Sequence, residues 1–147
     1  MILEQYPSLV AALCLWREAR GCTREEKVAV LWVILNRVKD TAHFPLHNRK
    51  RPIPEGYRLA SIVLDPWQFS SFNSNDPNAV KMPVPGDAEW EDFSECCEVL
   101  DSPGVFDPTA GAQYYHSYED RNDKRWPKWA VDSKQTLVTK RFRFYKL

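Results

Sequence analysis

Glu18 is the residue of this sequence whose surroundings best suit acid–base chemistry. It is the first acidic residue after an apolar stretch over residues 9–16, and the helical pattern around it is apolar on every side. A helix of that kind is buried, so the carboxyl emerges at the edge of a core, where loss of water disfavours its ionised form. The nearby C-terminal end of the helix dipole opposes a second negative charge in the same way.

A carboxylic acid kept protonated near neutrality can donate a proton to the leaving oxygen of a glycoside. Arg17 and Arg20 act in the opposite sense, because a nearby cation stabilises the carboxylate. The alternative reading of Glu18 is therefore an ordinary glutamate at a helix end, paired with Arg20 or Arg37.

Thiol chemistry is a second possibility. Cys22 lies just before the second predicted helix, whose N-terminus would lower the pKa of the thiol, whereas Cys14 lies mid-helix among apolar residues. Either thiol could act with His116 as a cysteine peptidase or amidase. No CxxC spacing occurs, and the adjacent Cys96 and Cys97 cannot readily bridge each other, so reduced thiols are expected.

A metal site and other cofactors are not expected. His43 and His47 have helical spacing but enclose Phe44-Pro45, and neither HExxH nor CxxC is present.

Two groups of residues have the types that bind a polar, flat-faced ligand. Amide and hydroxyl groups follow Trp67 in one loop, where Phe69 can pack beneath the ligand, and the alternative there is a turn capped by Ser70. In the second group, Tyr114 and Tyr115 alternate across a predicted strand, so one faces the core and the other could position Glu18. His116 fits a packed or surface histidine better than a catalytic one. The candidate binding residues are Trp67, Gln68, Phe69, Ser70, Asn73, Tyr114 and Tyr115.

Helical periodicity dominates the elements that would position these side chains. It predicts a first helix over residues 8–20, ended by Gly21, and a second from a Thr23–Glu26 capping box to Val38. A third helix is predicted over residues 58–64. A fourth runs from a cap at Asp87 to Leu100, with Trp90, Phe93, Cys97 and Leu100 facing inward. Residues 41–57 and 70–86 read as surface loops, and residues 113–118 and 137–145 as a small β-sheet or hairpin. The prediction is one mainly helical α+β domain over residues 1–147.

Charge and hydropathy exclude several classes of protein. The 20 basic and 20 acidic residues cancel, so the chain lacks the positive field of a nucleic-acid binder. No apolar stretch approaches the ~20 residues that span a bilayer, so membrane insertion is not expected. The first residues lack the basic start of a signal peptide, so synthesis in the cytoplasm without a signal peptide is expected, and a monomer is the default.

Five short motifs, in order and with similar spacing, resemble the cell-wall hydrolase family that includes the spore-cortex-lytic enzyme SleB. The resemblance runs over about residues 13–145, interrupted by an apparent insertion at 46–57. It implies a lysozyme-like fold and cleavage of peptidoglycan glycan strands, with Glu18 as the catalytic acid. The motifs are Glu18-Ala19-Arg20-Gly21, Val28-Ala29-Val30, Leu35-Asn36-Arg37-Val38, Gln68-Phe69-Ser70 and Gly111-Ala112-Gln113-Tyr114-Tyr115.

Three positions depart from the pattern of that family. Glu26 and Trp67 stand where the family usually has Gly, and Phe142 stands where a His is common. An added tryptophan would narrow a groove or provide a stacking platform, so substrate preference could differ.

The expected reaction is protonation by Glu18 of the glycosidic oxygen between N-acetylmuramic acid and N-acetylglucosamine. A muramidase would need a second carboxylate, for which Asp65, Asp76 and Glu26 are candidates. A lytic transglycosylase would instead use the sugar's own 6-hydroxyl and give a 1,6-anhydro product. The alternatives are a cysteine-dependent amidase or endopeptidase using Cys22 and a non-catalytic wall-binding module. A phage endolysin, released to the wall without a signal peptide, fits the expected setting, and so does a bacterial enzyme fragment cut from a longer secreted chain.

Overall fold

The computed structural model describes residues 6–45, 58–65, 68–73 and 75–147. Within these ranges the helices are α1 (Pro7–Ala19), α2 (Arg24–Lys39), α3 (Arg58–Leu64) and α4 (Ala88–Asp101). The strands are β1 (Tyr114–His116), β2 (Gln135–Val138) and β3 (Arg143–Tyr145). The predicted α+β class with a mainly helical content is therefore confirmed.

Helix α1 is buried along most of its length, as its apolar sequence predicts, and packs against α2, α3 and α4. Leu9 is 46% exposed, whereas Trp16 is completely buried. Val10 and Cys14 are buried instead of Leu9, because α3 covers that side of the helix. Gly21, just after the helix, has a φ of +71°, the left-handed conformation predicted for it.

The N-terminus of α2 carries the predicted capping box. The Glu26 backbone N–H donates to Thr23 Oγ1 over 3.2 Å, and the Thr23 N–H donates to Glu26 Oε1 over 3.3 Å. These bonds satisfy backbone donors that have no partner within the first turn of the helix.

Helix α4 begins after Asp87 as predicted, although the Asp87 side chain makes no capping hydrogen bond. Phe93 is buried as expected, and Cys97 and Leu100 pack partly buried against the main core. Trp90, predicted to point inward, is 37% exposed. The inward positions are filled instead by the smaller Cys96 and Val99, which are completely buried.

The sheet has three antiparallel strands in the order β1-β3-β2. Pairing of residues 113–118 with 137–145 is confirmed in part: Tyr115 lies opposite Phe144 across β1 and β3. The segment 137–145, however, contains a hairpin turn, because the Thr139 N–H donates to Phe142 O over 2.8 Å and the chain reverses there. Residues 137–138 therefore belong to β2, and residues 143–145 to β3.

The described connections are irregular and contain turns. Within the predicted loop 70–86, residues Ser70–Phe72 and Pro77–Val80 form short 3-10 helices. Much of the predicted loop 41–57, and Trp67, lie outside the described residues. All four cysteines are free thiols, and no helix in the described ranges is long and apolar enough to cross a bilayer.

Two clusters of buried side chains form the interior. The larger joins α1, α2 and α4 to the sheet through Phe142 and Phe144, and the smaller joins α1 and α2 to α3. Tyr115 packs against both clusters. The last turn of α1 and the strand β1 are thereby held side by side.

Candidate functional site

Glu18 lies in the last turn of α1, half-buried, in the wall of a cleft of about 470 Å³. The Tyr115 hydroxyl, from β1, donates to Glu18 Oε2 over 2.5 Å. The other carboxyl oxygen, Oε1, receives no hydrogen bond from any residue that the structure describes. One oxygen is thus fixed by the protein, and the other is available to a ligand.

Tyr115 is a neutral donor held in a fixed position. Its ring packs edge-on against Phe142, with centroids 5.4 Å apart, and lies 5.9 Å from the ring of Phe144. Burial, together with the nearby charge of Glu18, raises the pKa of the Tyr115 phenol well above its usual value. The phenol therefore keeps its proton and its hydrogen bond to Glu18 throughout the neutral range.

The arginines proposed as alternative partners of Glu18 are engaged elsewhere. Arg20 lies 3.6 Å from Glu89 Oε1 and stacks over the ring of Trp16. Arg37 donates its Nε–H to Gln113 O over 2.7 Å and an Nη1–H to Gln68 O over 2.6 Å. Among the described residues, no cation lies within ion-pair distance of the Glu18 carboxyl.

Gln68, Phe69 and Ser70, predicted as ligand-binding residues, all line the cleft. Arg37 holds their loop, because its guanidinium bonds the Gln68 carbonyl and lies 4.8 Å from the centre of the Phe69 ring. Burial lowers the pKa of Arg37 from its usual value. Arg37, within the Leu35–Val38 motif, therefore connects α2 to the cleft loop and to the chain before β1 through buried hydrogen bonds.

Two other predicted binding residues do not line the cleft. Tyr114 faces away from it, with its ring 5.7 Å from Phe44 and 5.1 Å from Trp129. Asn73 takes part in a turn, where its backbone N–H donates to Ser70 O over 2.8 Å. Trp67 lies outside the described residues, so its predicted role stays a prediction.

His116 lines the cleft, but both of its ring nitrogens bond within the protein. Nδ1 accepts from the Tyr118 backbone N–H over 3.1 Å, so the proton lies on Nε2, which is 3.1 Å from the Tyr145 hydroxyl. Burial, with the nearby charge of Arg143, lowers the pKa of His116. The ring is thus a neutral, packed histidine.

The thiols do not have the environment that was predicted for a nucleophile. Burial, then the charge of Glu26, raises the pKa of Cys22, so the expectation of a lowered value was wrong. Burial also raises the pKa of Cys14 well above its usual value. Neither thiol is hydrogen-bonded to His116 in the described structure, and a protonated thiol without a base is a weak nucleophile.

None of the candidate second carboxylates lines the cleft. Glu26 is buried and accepts hydrogen bonds from the Thr139 hydroxyl at 2.7 Å and the Arg141 N–H at 2.8 Å. The Asp76 carboxylate caps a 3-10 helix through the Asn78 N–H, and Asp65 is buried after α3. Of the residues that the structure describes, Glu18 is the single carboxylate in the cleft lining.

Part of the lining was not identified from the sequence. The chain after β1 supplies most of it, and the signal that it offered was a dense run of aromatic and basic residues beside a strand edge. A second depression of about 240 Å³ adjoins the cleft at Glu18 and is rich in arginine. The additional cleft residues are Arg37, Ser117, Tyr118, Arg125, Pro127 and Phe142.

The described residues contain no group of three or more His, Cys, Asp or Glu side chains that could hold a metal ion. The described lining of the cleft contains one carboxyl with its tyrosine donor, together with polar, basic and aromatic side chains.

Comparison with known proteins bears on this site. The model of the cell wall hydrolase family matches residues 21–145, a range that contains Tyr115, Arg37 and the Gln68–Ser70 loop and begins three residues after Glu18. Neither the curated proteins nor the solved structures gave a match. Because the family model covers most of the sequence, the chain belongs to the cell wall hydrolases, a family of enzymes that hydrolyse peptidoglycan.

Proposed function

We propose that the protein cleaves the glycosidic bond between N-acetylmuramic acid and N-acetylglucosamine in peptidoglycan, with Glu18 as general acid and base. One observation carries the proposal: Glu18 is the single carboxylate among the described residues of the cleft, and its Oε1 accepts no hydrogen bond from them. Glycoside cleavage needs a proton donor at the leaving oxygen, and a partly buried carboxyl is suited to that role.

In the first step, Glu18 Oε1 donates its proton to the glycosidic oxygen while the bond from that oxygen to the anomeric carbon breaks. Positive charge then develops on the sugar ring, and Glu18 is left as a carboxylate. The Tyr115 hydroxyl donates to Oε2 in both protonation states of Glu18. It therefore holds the carboxyl in one orientation and leaves the transferable proton to Oε1.

In the second step, the Glu18 carboxylate accepts a proton from the attacking hydroxyl. The described lining holds no second carboxylate, which supports attack by the 6-hydroxyl of the same muramic acid, because no protein group is then needed as nucleophile or as a second base. The new bond from that oxygen to the anomeric carbon gives a 1,6-anhydro sugar. The protein would then be a lytic transglycosylase; attack by water at the same position would make it a muramidase.

The shape of the site supports a polymeric substrate. Glu18, Ser117 and Phe142 line both the cleft and the adjoining depression, so the two spaces meet at the acid. A glycan strand placed along both would have sugars on each side of the bond next to Glu18.

Substitution of Glu18 tests the proposal. Glu18→Gln keeps the size of the side chain and a carbonyl for Tyr115, but it removes the transferable proton. We expect clearing of a suspension of purified sacculi to slow by about a thousandfold, while Glu91→Gln, on the exposed surface of α4, clears at the wild-type rate. Clearing by Glu18→Gln at the wild-type rate would refute the proposal.

Mass spectrometry of wild-type digests distinguishes the two glycan-cleaving reactions. Anhydro-muropeptides, each lighter by one water than the hydrolysed form, would establish transglycosylation. Muropeptides with a free reducing end would establish hydrolysis and refute the transglycosylase step while leaving Glu18 as the acid.

A further inference from the structure

The smaller depression that adjoins the cleft at Glu18 has a positive charge that the reaction itself does not require. Its lining contains three arginines and a single carboxylate, Glu18, together with neutral side chains. When Glu18 is protonated, as the first step requires, the described lining carries only positive charge. The arginines are Arg17, Arg20 and Arg141.

Two of these arginines already have partners. Arg17 is buried and donates to the backbone carbonyls of Ser71, Ala79 and Lys81. Arg20 lies 3.6 Å from Glu89 and over the ring of Trp16. Both contribute a positive field, but their donors are directed mainly at protein groups.

Arg141 differs from the other two. Its side chain is exposed, and its one hydrogen-bond contact with the described residues joins Nη1 to Cys22 Sγ over 3.9 Å. It forms no ion pair within the described structure. The backbone at this position is nevertheless fixed, because the Arg141 N–H donates to the buried Glu26 over 2.8 Å. A guanidinium with unused donors, anchored in this way beside the cleft, is suited to a carboxylate ligand.

Among the described residues, the larger cleft offers no equivalent cation. Arg125 is paired with Asp123 over 2.8 Å, and Arg37 is buried against two carbonyls. The two spaces that meet at the acid are thus chemically unequal, and a strand with carboxylates at alternate sugars would be held in one register. In peptidoglycan, muramic acid carries such an arm, a lactyl group extended by a peptide stem, whereas N-acetylglucosamine carries none.

We propose that Arg141, in the field of Arg17 and Arg20, binds a carboxylate on the lactyl–peptide arm of a muramic acid next to the scissile bond. This assignment rests on the proposed function and specifies how the same site recognises its substrate. Arg141 is a binding residue here and takes no part in proton transfer.

The test measures binding by calorimetry in the Glu18→Gln background, in which the ligand is not consumed. The ligands are soluble glycan-strand fragments with peptide stems, the same strands after removal of the stems, and a chito-oligosaccharide of equal length, which has no carboxylate arm. We expect the added substitution Arg141→Gln to weaken binding of the stem-bearing strand about fivefold, the size of one partly exposed ion pair. Binding of the chito-oligosaccharide is expected to stay unchanged.

Two control substitutions separate recognition from folding and net charge. Arg141→Lys should recover part of the affinity, and Lys140→Gln, at the exposed neighbouring position, should leave all affinities unchanged. If only the stripped strand loses affinity, the bound group is the lactyl carboxylate, which is free there and amide-linked in the stem-bearing strand; if both strands lose affinity, Arg141 accepts a carboxylate of either kind. If only the stem-bearing strand loses affinity, the group belongs to the peptide.

Equal weakening of the chito-oligosaccharide, or no effect of Arg141→Gln on any ligand, would overturn the inference. These outcomes are independent of the proposed function, which fails if Glu18→Gln still cleaves strands, whatever the binding preferences are.

Discussion

At the scale of single residues, the site depends on the hydrogen bond from Tyr115 to Glu18 Oε2. Tyr115→Phe removes this hydroxyl and keeps the ring against Phe142 and Phe144. We expect kcat to fall about tenfold, because the carboxyl loses its fixed orientation and one charge-assisted hydrogen bond. The KM should stay within about twofold, since the phenol hydroxyl is directed at the protein and not at the glycan.

Initial rates on soluble glycan strands measure both constants for this prediction. Tyr114→Phe is the matched control, because its ring packs between Phe44 and Trp129 outside the cleft lining. An unchanged kcat in Tyr115→Phe would show that the hydroxyl does not position Glu18.

The sequence predicted Glu18 and the tyrosine pair but left open which tyrosine meets the acid. Alternation in a strand is symmetrical, so it states that Tyr114 and Tyr115 face opposite ways without stating which way is inward. Which tyrosine faces Glu18 is decided by how β1 packs against the two buried clusters. The role of the Arg37 guanidinium could not be predicted from the sequence either, because its partners are backbone carbonyls, which every residue provides.

At the scale of secondary-structure elements, Glu26 connects the start of α2 to the turn between β2 and β3. Burial alone would raise the pKa of this carboxyl, but its hydrogen bonds from Thr139, the Arg141 backbone and Thr23 together hold the pKa below its usual value. We expect Glu26→Gln to lower the free energy of unfolding by about 2 kcal/mol near neutrality, because an amide cannot accept all of these bonds.

The pH dependence of this effect has a definite sign. Since the folded pKa is depressed, the stabilisation is fully present above the unfolded value of about 4.3 and is lost as pH falls through the folded pKa. Denaturant unfolding at pH 7 and at pH 3 should therefore show a smaller difference between wild type and Glu26→Gln at the lower pH. Glu25→Gln, on the exposed neighbouring position, is the control. A difference that grows on acidification would contradict the assignment.

The contacts of Glu26 show why some elements could be predicted from the sequence and others could not. The capping box is local, since Thr23 and Glu26 are three residues apart, and the sequence predicts it directly. The hairpin turn at residues 139–142 depends on Glu26, more than 110 residues earlier in the chain. Alternation of Phe142 and Phe144 with arginines therefore resembled one continuous strand, and the split into β2 and β3 was missed.

At the scale of the whole molecule, α1, α2 and α4 share the larger buried cluster with the sheet, and this packing holds Glu18 of α1 beside Tyr115 of β1. Phe144 is completely buried and packs with α1, α2 and α4 in the larger cluster. We expect Phe144→Ala to lower the free energy of unfolding by about 3–5 kcal/mol, as for other large aromatic truncations in a core. Denaturant unfolding followed by circular dichroism measures the change.

Val138→Ala is the control for this truncation, since Val138 lies on the neighbouring strand but is 48% exposed and should change stability by less than about 0.5 kcal/mol. Equal effects of the two substitutions would show that the sheet does not share the helical core.

The fold class followed from helical periodicity and from β-branched and aromatic residues near the C-terminal end, because these patterns are set by burial of one face. The cleft did not, since its lining combines residues from α1, α2, the 68–70 loop and the chain after β1. Placement of such distant segments is a property of the packed molecule and not of any one of them.

The central claim is that a proton from Glu18 cleaves the glycan strand, and its most direct test is a three-way digestion of purified sacculi. Wild type, Glu18→Gln and Cys22→Ala are compared, and both the new glycan ends and the freed stem peptides are quantified by mass spectrometry. The account predicts new glycan ends from wild type and Cys22→Ala, almost none from Glu18→Gln, and no freed stems from any of them. Freed stem peptides that disappear in Cys22→Ala, with Glu18→Gln fully active, would contradict it.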